Sequence, residues 1–316
     1  MYMWRALQLA KNGEGRVSPN PMVGAVIVAD GRIIGEGFHA FYGGPHAEVN
    51  AINSVKEADR PLLKESTIYV TLEPCSHYGK TPPCANLIKE TGIPRVVIGS
   101  LDPNPKVAGN GVRILEEAGI MVEEGILREE CVSLNPRFMK AHTSQLPYIL
   151  LKWARSSDGF MAGIDEKGMP YPVKFSSSLS SVWVHRLRAG ADAIVVGANT
   201  ERIDKPLLTT RLWAGNSPRK YVAHKSTPLE ETLLEMRRDG ITGIIVEGGP
   251  TLLREFIKKG YWDEIREEIS PKKLREGLRA PEIPDNAVLR DTTKCRDNII
   301  RVYQPQASHL LDVKKK

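Results

Sequence analysis

Three short stretches of this chain, His46-Ala47-Glu48, Glu73-Pro74-Cys75 and Pro82-Pro83-Cys84, hold one imidazole, two thiols and a carboxylate that can act together. A catalytic zinc ion takes nitrogen and sulfur ligands from three side chains and keeps a fourth position for water. His46, Cys75 and Cys84 supply that set, so Zn2+ is the expected metal. Glu48 stands two residues from His46. A fourth protein ligand would close the site, so Glu48 is expected to move protons instead. An open zinc position beside a carboxylate implies hydrolysis, here removal of an amino group from a heterocycle. The competing reading is a closed zinc site, or a buried His with two packed Cys. A lone His-x-Glu would favour it, but the Pro-Cys elements downstream favour catalysis. The spacing departs from the usual Pro-Cys-x-x-Cys of zinc deaminases. Eight residues, SHYGKTPP, separate Cys75 from Cys84 and add a loop carrying His77 and Lys80.

Rigid elements must hold these groups. The apolar runs 23–28 and 32–35 flank Asp30-Gly31, which signals a hairpin. A helix is expected from His46, with Val49, Ile52 and Val55 on one face. Residues 67–72 form a buried strand that ends just before Cys75. Pro82-Pro83 suits the first turn of the next helix, which Cys84 opens. A helix start favours the thiolate that binds metal. Strand 95–100, helix 111–118 and strand 121–126 complete a three-layer α/β domain. The pattern ends near Asn135-Pro136, and residues 140–147 read as a polar connector. A second α/β series follows: strand 148–154, a helix at about 178–189, strand 193–197 and a loop. Then come a strand near Tyr221, a helix at about 229–238, strand 243–246, and Glu247-Gly248-Gly249-Pro250 turning into a helix. The expected domains are 1–142 and 146–316.

The 316 residues suit two domains. The net charge of +6 fits nucleic acid or an anionic small substrate, but the Lys and Arg are scattered rather than grouped in a stripe. Nucleic acid is therefore disfavoured as a partner. No apolar run approaches the roughly 20 residues of a membrane helix, so no membrane partner is expected. The start, MYMWRALQLAKNG, lacks the order of a signal peptide and reads as an amphipathic helix. Two of the four Cys lie in the zinc motif, and Cys131 and Cys295 read as packing or free thiols. A reducing cytoplasm fits this usage. A homo-oligomer is expected.

GPHAEVNAI, EPCSHYGKTPPC, SPNPMVGAVIV and DPNPKVAGNGV together resemble the deaminase half of the bifunctional riboflavin-biosynthesis deaminase/reductase family, across nearly all of residues 1–140. The long loop between the Cys is itself a mark of that family. The resemblance implies a cytidine-deaminase-like fold and a phosphorylated pyrimidine substrate, 2,5-diamino-6-ribosylamino-4(3H)-pyrimidinone 5′-phosphate, which loses its 2-amino group as ammonia. It also implies substrate contacts at Asn20, His39, His77, Lys80, Asp102 and Asn104. Lys80 suits a phosphate as a point charge. Asn20 and Asn104 offer donors and acceptors to a heterocycle edge. Asn-Pro and Asp-Pro pairs also form turns without any ligand.

The second series resembles the reductase half. The carrying motifs are Lys152-Trp153-Ala154-Arg155-Ser156-Ser157-Asp158-Gly159, the run from Arg186 to Thr200, Asp204 to Arg211, and Val246 to Thr251. The implied fold is dihydrofolate-reductase-like, and the implied reaction uses NADPH to reduce the ribosyl group to ribityl. The implied substrate and cofactor contacts are Lys152, Ala154, Asp158, Ser176, Arg188, Asn199, Thr200, Asp204, Leu207, Arg211, Glu247, Gly248 and Gly249. Glycines before a helix let N–H groups approach a phosphate. Arg188 and Arg211 suit a bidentate phosphate clamp. Ser176 and Ser177 precede a helix and either cap it or bind phosphate. Lys152, on an apolar strand, needs a partner, and Glu247 is the candidate. Two departures stand out. Only HKSTP joins strand Arg219–Ala223 to helix Leu229–Arg238, where the family has a longer stretch, and Ser157 replaces the usual Leu. The alternatives are a tRNA-type nucleic-acid deaminase, and a deaminase carrying a degenerate, non-catalytic reductase domain.

Overall fold

A computed structural model describes residues 1–77, 82–104, 107–224 and 226–306. Its contacts divide the chain between Thr143 and Ser144. In the first unit the strands are β1 Gly24–Ala29, β2 Arg32–Phe38, β3 Thr67–Leu72, β4 Arg95–Ser100 and β5 Met121–Glu124. The helices are α1 Tyr2–Ala10, α2 Ala47–Asn53, α3 Cys84–Thr91, α4 Asn110–Glu117, α5 Arg128–Leu134 and α6 Pro136–Thr143. The sheet order is β2-β1-β3-β4-β5. β1 is antiparallel to β2 and β3, while β3, β4 and β5 run parallel.

β1 reads GAVIVA and is buried throughout, because helices cover both faces. Ala25 and Ile27 pack with Ala47, Ala51, Ile88 and Leu115 of α2, α3 and α4. Val26 and Val28 pack with Met3, Leu7 and Cys131 of α1 and α5. The expected three layers are present. Asp30 and Gly31 both take positive φ, 51° and 71°, as a two-residue hairpin turn requires. Gly37 lets β2 approach α2 closely, since a Cβ there would lie 2.3 Å from the Ala51 nitrogen. One expectation is corrected: residues 140–143 are the end of α6, not connector. Pro136 starts that helix and buried Met139 anchors it.

In the second unit the strands are β6 Tyr148–Arg155, β7 Phe160–Ile164, β8 Pro170–Pro172, β9 Ala193–Gly197, β10 Arg219–Ala223, β11 Gly243–Val246, β12 Glu264–Ile269, β13 Leu278–Arg279, β14 Ala287–Cys295 and β15 Asn298–Pro305. The helices are α7 Ser178–Ala189, α8 Ala198–Asp204, α9 Leu229–Arg238 and α10 Pro250–Lys258. The main sheet runs β10-β9-β11-β6-β12-β15-β14, and β13-β7-β8 form a small second sheet. β10, β9, β11, β6 and β12 are parallel, so they end at one edge, where ligand sites of open α/β sheets form. Along β6, Ile149, Leu151 and Trp153 enter one core, while Tyr148 and Leu150 face α7. Lys152 continues the α7 face at the strand's end.

Two features of this unit differ from the sequence reading. The loop expected after β9 is the helix α8. The β12–β15 region gave no signal, because β12 reads EIREEI and buries Glu264, Glu267 and Glu268. Each of these carboxylates is paired. Glu267 meets Arg155 at 2.5 Å, Glu268 accepts from Ser176 and Asn298, and Glu264 accepts from the Tyr148 hydroxyl. Buried pairs replace the apolar side chains that periodicity detects. Among the described residues no helix is long and apolar enough to cross a membrane.

Candidate functional site

His46 is the N-cap of α2, Cys84 is the first residue of α3, and Cys75 follows β3. Two helix starts therefore converge over one strand end. The His46 Nδ1 lies 3.5 Å from the Cys75 Sγ and 3.4 Å from the Cys84 Sγ. All three donor atoms lie within 4.8 Å of one another. The Cys84 backbone N–H donates to the Cys75 Sγ at 3.3 Å. Hydrogen bonding from the Cys84 thiol, together with His46 and that N–H, outweighs burial and brings Cys75 down to about 4. The Cys84 thiol is pushed up by Cys75, by burial and by Glu48. The hydrogen bond to Cys75 raises His46. One thiolate, a second thiol and an imidazole nitrogen aimed at one point form a donor set that suits Zn2+.

Glu48 lies in the first turn of α2 and is 3 % exposed. Burial and the charge of Cys75 push its carboxyl up to about 7, against the pull of His46. A carboxyl balanced near neutrality both accepts and returns a proton.

Around this centre, the His39 and His46 rings meet edge to face, 5.5 Å apart. His39 is buried, and both of its nitrogens are engaged. Nδ1 lies 3.0 Å from the Pro45 carbonyl and Nε2 lies 3.2 Å from the Asn20 Nδ2. His39 thus holds Asn20 from one side. Asp102 is buried and accepts the Asn104 N–H at 2.8 Å. Burial raises Asp102, and the charge of exposed His77 opposes this. Lys80 lies outside the described residues.

Glu73 escaped the sequence reading. Its buried carboxylate accepts N–H groups from Asp102, Gly109, Gly111 and Val112, at 3.1, 3.0, 2.9 and 3.4 Å. It thus ties the segment carrying Asp102 and Asn104 to the strand end carrying Cys75. Its partners lie 29 to 39 residues away, so no local spacing announces them.

In the second unit, Lys152, Arg188 and Glu247 gather on the α7 side of the sheet edge. The charge of Lys152 acts on Glu247 as expected, but the direct hydrogen bonds come from Arg188. Arg188 takes Glu247 through two bonds of 2.8 Å each and gives a third, at 3.3 Å, to the Thr209 carbonyl. Arg188 is thus held by Glu247 and Thr209. Burial alone would raise Glu247, but the hydrogen bonds from Arg188 and the charge of Lys152 hold it below the usual carboxylate range. Buried His185 was missed; its Nδ1 accepts the Leu212 N–H at 3.3 Å.

Gly249 is the N-cap of α10, with Pro250 at the first helical position. Its N–H donates to the Thr200 hydroxyl at 3.1 Å, which brings Thr200 and the Gly248-Gly249 turn together. A glycine-flanked helix start fits the phosphates of NADPH. Other expected contacts are committed elsewhere or lie apart. Asp158 accepts from the Leu274 and Arg275 N–H groups. A hydrogen bond from Ser156, with those N–H groups, holds it at about 2. Ser176 donates to Glu268 at 2.6 Å, while Ser177 caps α7. Asn199 and Asp204 lie on α8, and Ala154 is half-buried on β6. Leu207 and Arg211 are exposed.

A family model described as the cytidine and deoxycytidylate deaminase zinc-binding region matches residues 1–100. The model of the RibD C-terminal domain matches residues 147–232 and 226–307. The two segments overlap at the short connection between β10 and α9. The riboflavin biosynthesis protein RibD of Aquifex aeolicus is 37% identical over 321 residues, covering 88% of each chain. That of Escherichia coli K12 is 44% identical over 336 residues, covering 88% of this chain and 89% of its own. Among solved structures, the diaminohydroxyphosphoribosylaminopyrimidine deaminase/5-amino-6-(5-phosphoribosylamino)uracil reductase of Thermotoga maritima superposes with a TM-score of 0.83. It is 36% identical, and the match covers 96% of this chain and 97% of that one. One crystal form of Acinetobacter baumannii RibD gives a TM-score of 0.81 at 30% identity.

Proposed function

This chain belongs to the RibD family of riboflavin-biosynthesis proteins, and from that premise we propose how its residues divide the work of a bifunctional enzyme. The first unit is a zinc-dependent deaminase with a cytidine-deaminase-like fold, and the second is an NADPH-dependent reductase. The substrate is the phosphorylated diaminopyrimidine. Water replaces the 2-amino group as a carbonyl and ammonia leaves; the ribosyl side chain is then reduced to ribityl. A nucleic-acid deaminase gives way to this reading, because the match to family members extends through the reductase unit as well.

His46, Cys75 and Cys84 would hold the zinc ion, which when bound supplies a Lewis acid that makes water nucleophilic near neutral pH. Glu48 takes a proton from the attacking water and passes one to the departing amine. Asn20, Asp102 and Asn104 orient the pyrimidine; His39 holds the Asn20 side chain, and Glu73 holds the backbone at Asp102. In the second unit the Gly248-Gly249 turn and Thr200 take the phosphates of NADPH, the hydride source. Lys152, beside the Arg188–Glu247 pair, faces the sugar. The free state of all four cysteines supports a reducing compartment, and a cytoplasmic homo-oligomer completes the proposal.

The single observation that carries the deaminase assignment is the convergence of three zinc-type donors beside a buried carboxylate. Glu48→Gln is expected to keep its zinc and to lose ammonia release by at least about 100-fold. Metal analysis and an ammonia assay on the phosphorylated diaminopyrimidine check this. Full deaminase activity in the variant would sink the role given to Glu48.

A further inference from the structure

We propose that Asn135 is a positioning residue of the deaminase, acting on the pyrimidine through Asn20. Asn135 sits at the junction of α5 and α6 and is 7 % exposed. Its side chain grips one residue of a distant segment at both backbone groups. The Met22 N–H donates to the Asn135 Oδ1 at 2.7 Å, and the Asn135 Nδ2 donates to the Met22 carbonyl at 2.8 Å. The two residues are 113 positions apart. Met22 follows Asn20 by two residues and precedes β1. The amide therefore acts as a short piece of strand, clamping the entry to β1 against the helices that follow the sheet. Val132, Met139 and Phe138 pack with Val23 and Leu72 beside the clamp.

The other side of Asn20 is held as well. The Pro45 carbonyl can only accept, so the His39 Nδ1 carries the proton. In a neutral ring Nε2 then accepts, which suits the Asn20 Nδ2 placed 3.2 Å away. The amide is thereby oriented with its Oδ1 turned away from His39, ready to accept an N–H from the pyrimidine. His39 sets which atom of Asn20 is presented. Asn135 sets where the segment carrying it lies. Both hydrogen bonds of the clamp must break before that segment shifts.

The link rests on the deaminase reading, with Asn20 as a substrate contact. The test is a double-mutant cycle on the full-length, zinc-loaded enzyme, with KM and kcat for ammonia release from the phosphorylated diaminopyrimidine. Asn135→Ala is expected to raise KM about tenfold, the loss of roughly one hydrogen bond to substrate, with kcat and zinc content kept. Asn20→Ala is expected to do the same. The double variant is expected to be no worse than Asn20→Ala alone, because on this proposal Asn135 acts through the Asn20 amide. Additive effects, about a hundredfold in KM, would overturn the link. So would a wild-type KM in Asn135→Ala beside a raised KM in Asn20→Ala. A wild-type KM in Asn20→Ala would overturn the contact itself, and with it that part of the functional reading. Should Asn135→Ala not hold zinc, Asn135→Asp carries the same cycle, since it keeps an oxygen for the Met22 N–H.

Discussion

The two units expose their chemistry differently. In the first, the imidazole and the two thiols lie within 4.8 Å of one another, with the buried Glu48 beside them. Nitrogen and sulfur donors held this close suit a zinc ion. In the second, most of the polar groups expected to meet ligand already hold partners within the protein. Arg188 is bound to Glu247, Asp158 to two backbone N–H groups, and Ser176 to Glu268. The deaminase site is a set of ligands drawn together by two helix starts. The proposed reductase site is a set of ion pairs and caps that fix a sheet edge against which substrate and cofactor would lie. The difference teaches that a residue type named by a motif can serve a reaction by holding its neighbour rather than by touching substrate.

Zinc removal should separate the units most strongly. With three protein ligands at a catalytic centre, chelation is expected to abolish ammonia release while the fold persists. NADPH oxidation with the deaminated intermediate supplied directly is expected to continue. Loss of both activities on chelation would erase the contrast, since the metal would then be holding more than the deaminase site.

The next largest effect concerns the Arg188–Glu247 pair, whose side chains are both 12% exposed. Arg188→Met leaves a buried carboxylate without its partner and is expected to destabilise the reductase unit by about 3 kcal/mol. NADPH oxidation should fall and ammonia release should not. The pH dependence has a definite sign. Glu247 is held below the ordinary carboxylate range when folded, so its pairing stabilises the fold at neutral pH. That contribution fades as pH falls through the folded value. Denaturant unfolding should therefore show the gap between variant and wild type narrowing in acid. A gap independent of pH would mean that Arg188 acts by packing alone.

The smallest effect sharpens the same comparison. Ser177, not Ser176, caps α7, accepting the Ser180 N–H at 3.1 Å. Ser177→Ala is expected to lower stability by about 1 kcal/mol with little change in KM for NADPH. Ser176→Ala, which leaves Glu268 with Asn298 as its remaining hydrogen-bond donor, should change reductase kinetics more than Ser177→Ala does. Equal effects in steady-state assays would return both serines to capping.

What was legible in the sequence follows from range. His46 and Glu48 share one helix start, and Cys75 and Cys84 flank one loop, so spacing alone exposed them. Helix α7 and strand β9 were equally clear, because apolar pattern and capping residues agreed. Glu73 and Asn135 were invisible, since each acts on backbone far along the chain. β12 was missed for a second reason. Three of its buried side chains are carboxylates, and Glu267 and Glu268 meet partners far along the chain, so no apolar periodicity marks the strand. The Arg188–Glu247 pair joins residues 59 positions apart. The motifs named both residues and left their pairing unread.

The central claim is that one chain carries out both steps. The direct measurement is a coupled assay in which the phosphorylated diaminopyrimidine and NADPH are supplied together and ammonia and NADPH are followed separately. The account predicts that both signals move, with about one NADPH oxidised for each ammonia released, and that omitting NADPH leaves ammonia release intact. Ammonia release with no NADPH oxidation would contradict it and leave a deaminase joined to a spent reductase.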